Sequence, residues 1–275
     1  GLIGTDPAGA HVIDGAGGVL LPGLIDAHVH LDGPARLPAL TSYGVTTALD
    51  MASVPEQTAA LRGQAGQTDI RSAGIPAIAP GSLHSRIPGV GERGLIAGPD
   101  EASRFVADRV AERSDYIKVV VGSRFADHDQ ATLDALVAAA HAQGKLVVAH
   151  ASSAASVAKA QAAGADILTH APLEQVLGPV AAAQAAAFGR VVVPTLTMME
   201  AIVANAGLSP LEVLLAATAL PARHFGLSDR GTITPGKRAD LVLIDGDPLA
   251  DIRATRSIRR IWCGGIEHEP ADSSW

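Results

Sequence analysis

The chain has 275 residues, 48% hydrophobic but only 3% aromatic, and a net charge of −7. That is enough for one large α/β domain with a small appendage. The acidic balance, without a basic run or a basic patch studded with aromatics, sets aside nucleic acid and anionic membranes as main partners. No uninterrupted apolar run of about 18 residues offers a membrane span. The single cysteine, Cys263, permits no internal disulfide, which fits a reducing compartment and makes cytoplasm the default location. Gly1 rather than Met opens the chain, which leaves room for a removed leader.

Residues 1–23 hold two short β-like pieces, 1–4 and 11–14, too short to bury a core alone. Pro22-Gly23 then leads into an apolar strand over 24–29, with His28 and His30 two residues apart at its end. Strand side chains alternate, so both imidazoles project to one side, near enough to share an ion. Taken alone, His-x-His fits a hydrogen-bonded pair equally well. A strand–helix rhythm follows: helix 36–43, strand 45–50, helix 55–65, strand 70–79. A loop over 80–98 interrupts it, and loops of that length are often binding loops. The rhythm resumes with helix 99–113, strand 115–121, helix 130–142, strand 145–150, helix 153–163, strand 166–170, helix 176–188 and strand 190–197.

Seven strands with short crossovers favour a (β/α)₈ barrel over an open doubly wound sheet, because polar residues gather at the C-terminal ends of many strands. Beyond Thr197 the rhythm fails. Ser209, Pro210 and Glu212 signal a helix start running to about Leu220, and no eighth strand separates it from what precedes. The β-rich tail, 231–246 and 257–263, is assigned with the N-terminus to a small β-sandwich. The expected division is therefore a sandwich of 1–23 and 231–268 around a barrel of 24–230.

Lys118 lies inside an apolar strand, where an ammonium is expensive and its pKa falls. One reason to keep it is carbamylation, in which the neutral amine adds carbon dioxide and becomes an anionic oxygen ligand. His150 and His170 end the fifth and sixth barrel strands. Each of these residues alone is ordinary, a strand-end lysine or a satisfied histidine. Together, His28, His30, Lys118, His150 and His170 place metal-compatible groups at the ends of strands one, four, five and six. Such donors suit Zn²⁺, Mn²⁺, Co²⁺, Ni²⁺ or Fe²⁺, and a paired site would make hydroxide available near neutral pH.

The chain resembles the amidohydrolase superfamily, in the binuclear branch of prolidase-like dipeptidases and imidazolonepropionase-related proteins. The resemblance is carried by Pro22-Gly-Leu-Ile-Asp-Ala-His-Val-His30 and by Gly231-Thr-Ile-Thr-Pro-Gly-Lys-Arg-Ala-Asp-Leu-Val-Leu243. It implies that His28 and His30 hold one metal ion, His150 and His170 a second, and Lys118 bridges both as a carbamate. It also implies a metal-dependent hydrolase of amide, dipeptide or cyclic-amide C–N bonds, using a metal-bridging hydroxide. Small amide or peptide substrates are the expected partners, with room for a homo-oligomer.

The family places an aspartate at the end of strand eight to ligate the buried metal and shuttle a proton. No aspartate lies between Thr197 and Leu220, so no catalytic base is assigned. The sequence reads as the family pattern with a segment missing near Asn205-Ala206. Two rivals follow: a mononuclear deaminase of the same superfamily, which does not need the strand-four lysine, and a non-catalytic binding or scaffold relative. On the long loop, His84 and Arg86 are substrate-binding candidates, the arginine as a carboxylate clamp. His11, His128, His141, His224 and His268 are read as structural or surface residues. Asp32-Gly33 reads as a turn, and Cys263 as a small buried residue.

Overall fold

The computed structural model describes residues 1–87, 91–122, 124–170, 172, 178–194 and 208–271. In chain order the strands are β1 (Val19–Pro22), β2 (Leu24–Val29), β3 (Val45–Asp50), β4 (Asp69–Ser72), β5 (Ile117–Val121), β6 (Val147–Ala151), β7 (Ile167–Thr169), β8 (Val191–Val193), β9 (Leu241–Ile244), β10 (Ile258–Cys263) and β11 (Ile266–His268). The helices are α1 (Arg36–Ser42), α2 (Pro55–Leu61), α3 (Ala102–Ala111), α4 (Gln130–Ala142), α5 (Ala154–Ala163), α6 (Pro179–Ala187), α7 (Pro210–Ala216) and α8 (Ala219–His224).

The fold is mixed α/β with parallel sheets. Strands β2 to β8 stand side by side in sequence order, β2-β3-β4 in one sheet and β5-β6-β7-β8 in the next. A parallel bridge between Ala77 and Val119 joins the two. Ala77 N–H donates to Lys118 O at 2.8 Å, and Val120 N–H donates to Ala77 O at 2.9 Å. At the opposite edge Ile25 N–H donates to Ala217 O at 2.8 Å. The residues on which the eighth strand was sought, 195–207, lie outside the described residues. Both chain ends meet in an antiparallel sheet of order β1-β9-β10-β11. Among the described residues, no helix is long and apolar enough to cross a membrane.

Side-chain alternation sets the two faces of the wall. Ile117, Val119 and Val121 on β5, and Val147, Ala149 and Ala151 on β6, pack outward in one cluster with Phe105, Leu133, Leu136 and Val157 of the covering helices. The intervening Lys118 and His150 therefore point to the inner side. Below them Ile25, Leu49, Tyr116, Val148 and Ile167 fill the interior with Ala222 and Leu227. Interior packing and functional groups thus share the same inward-facing register.

Helix starts follow their sequence signals. Ser209 and Glu212 form a reciprocal capping box on α7 with Pro210 in the first turn, and Ser153 and Ser156 form one on α5. Some boundaries differ from expectation. The strand sought over 70–79 stops at Ser72, because Gly74 turns into the left-handed region at φ 65°, and the chain returns to the sheet only as bridges at Ala77 and Ile78. The helix sought over 210–220 breaks at Thr218 (φ −139°, ψ −85°), whose hydroxyl donates to Leu214 O at 2.6 Å. No strand forms over 11–14; the first one is β1. The β10–β11 hairpin was not foreseen, although Gly264-Gly265, both at positive φ, is a strong two-residue turn signal.

Gly23 joins the small sheet to the wall. Its N–H donates to Asp240 O at 2.8 Å, and a Cβ there would lie 2.2 Å from Thr46 Oγ1, a buried side chain with no room to yield. Gly23→Ala is expected to cost about 1–3 kcal/mol through overpacking. A thermal melt superimposing on that of the wild type would contradict this.

Beneath the wall, Arg230 is 4% exposed and donates to Asp69 at 2.7 Å, Asp229 at 2.9 Å and Thr47 Oγ1 at 3.0 Å. Arg238 lies 3.5 Å from Asp69 and 3.3 Å from Asp240. These charges tie the C-terminal segment to the N-terminal ends of β3 and β4.

Candidate active site

The C-terminal ends of β2, β6 and β7 bring the histidines together, whereas Lys118, expected at a strand end, is the second residue of β5 and reaches them from inside the strand. His30 and His28 have ring centroids 5.2 Å apart, His28 and His170 4.8 Å, His170 and His150 4.4 Å, and His150 and His84 4.9 Å. The five rings make one continuous chain over the mouth of the wall. His84 reaches it from a 3₁₀ turn, His84–Arg86, on the long loop.

Strand alternation accounts for some of these placements and fails for one. In the β6–β7 register His150 faces Thr169, so Thr169 shares its inward side and the next residue should face outward. His170 nevertheless meets His150, because its backbone sits at φ 78°. A non-glycine residue in that conformation is strained and occurs preferentially at functional sites. Nothing in the amino-acid sequence announces that turn.

Lys118 is buried, and its Nζ donates to Thr169 Oγ1 at 2.7 Å across the intervening strand β6. Thr169 in turn donates to Ala149 O at 3.1 Å, so its hydroxyl hydrogen is occupied and its oxygen accepts from the amine. Desolvation lowers the Lys118 pKa to about 7. Thr169 is a partner that the sequence reading missed. Asp50 is another. It ends β3 fully buried, accepting from Ser53 Oγ and Ser72 Oγ at 2.6 Å each and from Leu31 N–H at 3.1 Å. It thereby fixes the chain just after His30. Burial raises its pKa, against the pull of those hydrogen bonds.

His28, His150 and His170 are held neutral. Burial first, then the nearby Lys118 charge and the other rings, lowers His28 to about 2. Burial and His170 lower His150 to about 3, and burial and Lys118 lower His170 to about 4. His84 is shifted down for the same two reasons. Neutral imidazoles carry the lone pairs that metal ligation requires.

Among the described residues, no three His, Cys, Asp or Glu side chains are set to hold one ion. The donor chemistry nonetheless suits a metal. The Nε2 atoms of His28 and His30 lie 3.3 Å apart, close to the ~3.3 Å that two imidazoles span around a tetrahedral ion at about 2.0–2.1 Å. His28 Nδ1 is buried and has no hydrogen-bond partner among the described residues. The Arg86 guanidinium carbon lies over the Phe125 ring, 5.2 Å from its centroid, within cation–π reach. Away from the site, His141 pairs with Asp166 at 2.9 Å, Asp32 pairs with Arg36 at 2.7 Å, and Cys263 is buried.

Comparison with known proteins gives these features a context. An adenine deaminase of Methylobacterium sp. (strain 4-46) is 27% identical, covering 98% of this chain and 54% of its own length. That alignment runs over 318 residues, more than this chain contains, so the relative carries residues absent here. This chain spans about half the length of that curated relative. Among solved structures, an amidohydrolase matches with TM-score 0.78 at 22% identity, covering 98% of this chain and 91% of its own. A Xaa-Pro dipeptidase with methionine bound in its active site matches with TM-score 0.77 at 20% identity, covering 92% and 87%. These likenesses concern the fold. The amidohydrolase family model matches residues 19–189 and 180–266, nearly the whole chain, and the protein belongs to that family.

Proposed function

We propose that the protein is a metal-dependent hydrolase of C–N bonds acting on an amide, a dipeptide or a cyclic amide. The observation that carries this reading is the run of neutral histidines, His28, His170 and His150, gathered near the buried, desolvated Lys118 on strands β2, β5, β6 and β7. His28 and His30 are the ligands of one ion, and His150 and His170 those of a second. Lys118 serves both after its neutral amine adds carbon dioxide and releases a proton, with Thr169 steadying the nitrogen. Divalent metal, when bound, lowers the pKa of water and polarises a carbonyl. Zn²⁺ is the first candidate, ahead of Mn²⁺, Co²⁺, Ni²⁺ and Fe²⁺. Desolvation keeps the His28, His150 and His170 imidazoles unprotonated, so they bind a cation without first losing protons. In this reading His84 and Arg86 contact the substrate, supported by their shared turn on the long loop and the His84–His150 contact.

The adenine deaminase relative supports a second reading, release of ammonia from an aminopurine. One assay separates the two. Zinc-reconstituted protein is expected to cleave members of a panel of dipeptides, N-acyl amino acids and cyclic amides, and to stop when a chelator is added. Ammonia release from adenine with no cleavage across that panel would replace the hydrolase reading with the deaminase one. No turnover of either would favour a non-catalytic relative.

A further inference from the structure

The 3₁₀ turn His84–Arg86 does two things at once: it sets His84 against His150, and two residues on it sets Arg86 against Phe125. A 3₁₀ turn rises about 2 Å per residue, so the backbones carrying the two contacts are about 4 Å apart along the axis of one short turn. The loops carrying them are tied together, since Leu83 N–H donates to Arg124 O at 2.8 Å.

Phe125 has three unusual properties. It is 75% exposed in a chain with only four phenylalanines. Its backbone sits at φ 75°, a costly conformation for a bulky residue. Its ring carries a guanidinium that pairs with no carboxylate among the described residues. Burial cannot account for the ring, and folding alone does not call for a phenylalanine in that conformation. Leu83 and Ile87, each 43% exposed, bracket the turn and add exposed apolar side chains at its two ends.

We propose that Phe125 is a specificity-determining residue: its ring holds Arg86 by stacking and provides a shelf for an apolar group next to a carboxylate. Stacking occupies the face of a guanidinium and leaves its in-plane N–H donors free, the arrangement that grips a carboxylate with two parallel hydrogen bonds. The preferred substrates of the proposed hydrolase are then amides whose carboxylate lies close to an aromatic or branched apolar side chain. This inference deepens the hydrolase reading and rests on it for the identity of the site. Its test is binding, not turnover.

The probes are 3-phenylpropionate, acetate and 3-phenylpropan-1-ol, which contain no bond to hydrolyse, titrated calorimetrically into zinc-reconstituted protein. The phenyl acid is expected to bind at least about tenfold more tightly than either other probe, the scale of one charged hydrogen-bonded contact. Arg86→Gln should erase its advantage over the alcohol. Phe125→Ala should erase its advantage over acetate, and Phe125→Leu should retain part of it. Phe125→Gly should bind like the alanine variant while melting at the wild-type temperature or above, because glycine relieves the strained backbone. Wild-type selectivity retained in Phe125→Ala, or equal affinity for the three probes, would overturn the inference and leave the hydrolase assay untouched. A Phe125→Gly protein that melts well below the wild type would instead make the ring a folding element, which also overturns it.

Discussion

Lys118→Met is expected to yield a folded protein, at least as thermostable as the wild type, whose turnover of the best amide substrate falls by about 100-fold or more. The two halves of this result have separate causes. Methionine occupies a similar volume, and its thioether avoids the desolvation that brings the Lys118 amine down to about 7. Among the described residues, the side-chain hydrogen bond lost is that to Thr169, whose own hydroxyl hydrogen stays on Ala149 O. Losing a residue that serves both ions should cost more than losing an outer-shell partner, for which about 10–100-fold is typical. Steady-state kinetics and a thermal melt on one preparation check both halves. Wild-type turnover in this variant would remove the lysine from the site and contradict the bridged two-metal account.

Arg230→Met is expected to be the most destabilising change in the framework, costing about 3 kcal/mol, the lower end for breaking a buried ion pair. The lower end applies because Asp69 keeps Arg71 at 2.9 Å and Arg238 at 3.5 Å. Burial alone would raise the Asp69 pKa, but Arg71, Arg230 and Arg238 together hold it below the ordinary 3.8. A carboxylate with a depressed folded pKa contributes stability that is present above its unfolded value and lost as pH falls through the folded one. The gap between wild type and variant should therefore be full at pH 7 and narrow below about pH 4. Urea unfolding at several pH values measures it. A gap that widens in acid would show that the carboxylates do not carry this clamp.

The barrel wall and the ligand candidates were legible because strand alternation and chain order are properties of sequence. Lys118 between Ile117 and Val119, and His150 after Ala149, could be aimed inward from pattern alone. His170 could not, since strict alternation aims it outward and only its left-handed backbone turns it back. Thr169 and Asp50 were invisible for another reason. Their roles depend on which strands are neighbours, and a buried threonine or aspartate has no spacing signature. The Arg86–Phe125 stack joins residues from two loops, which no local pattern connects. Boundary errors came from single residues: Gly74 ended β4 early, and Thr218 split the helix expected over 210–220.

The most direct test of the proposed site is the metal content of the purified protein, measured by elemental analysis after dialysis against trace zinc. The binuclear account predicts two zinc ions retained per chain in the wild type. It predicts clear loss in Lys118→Met and in His150→Ala, with both variants still folded by circular dichroism. Wild-type protein that retains no divalent metal, or variants that retain as much as the wild type, would contradict it.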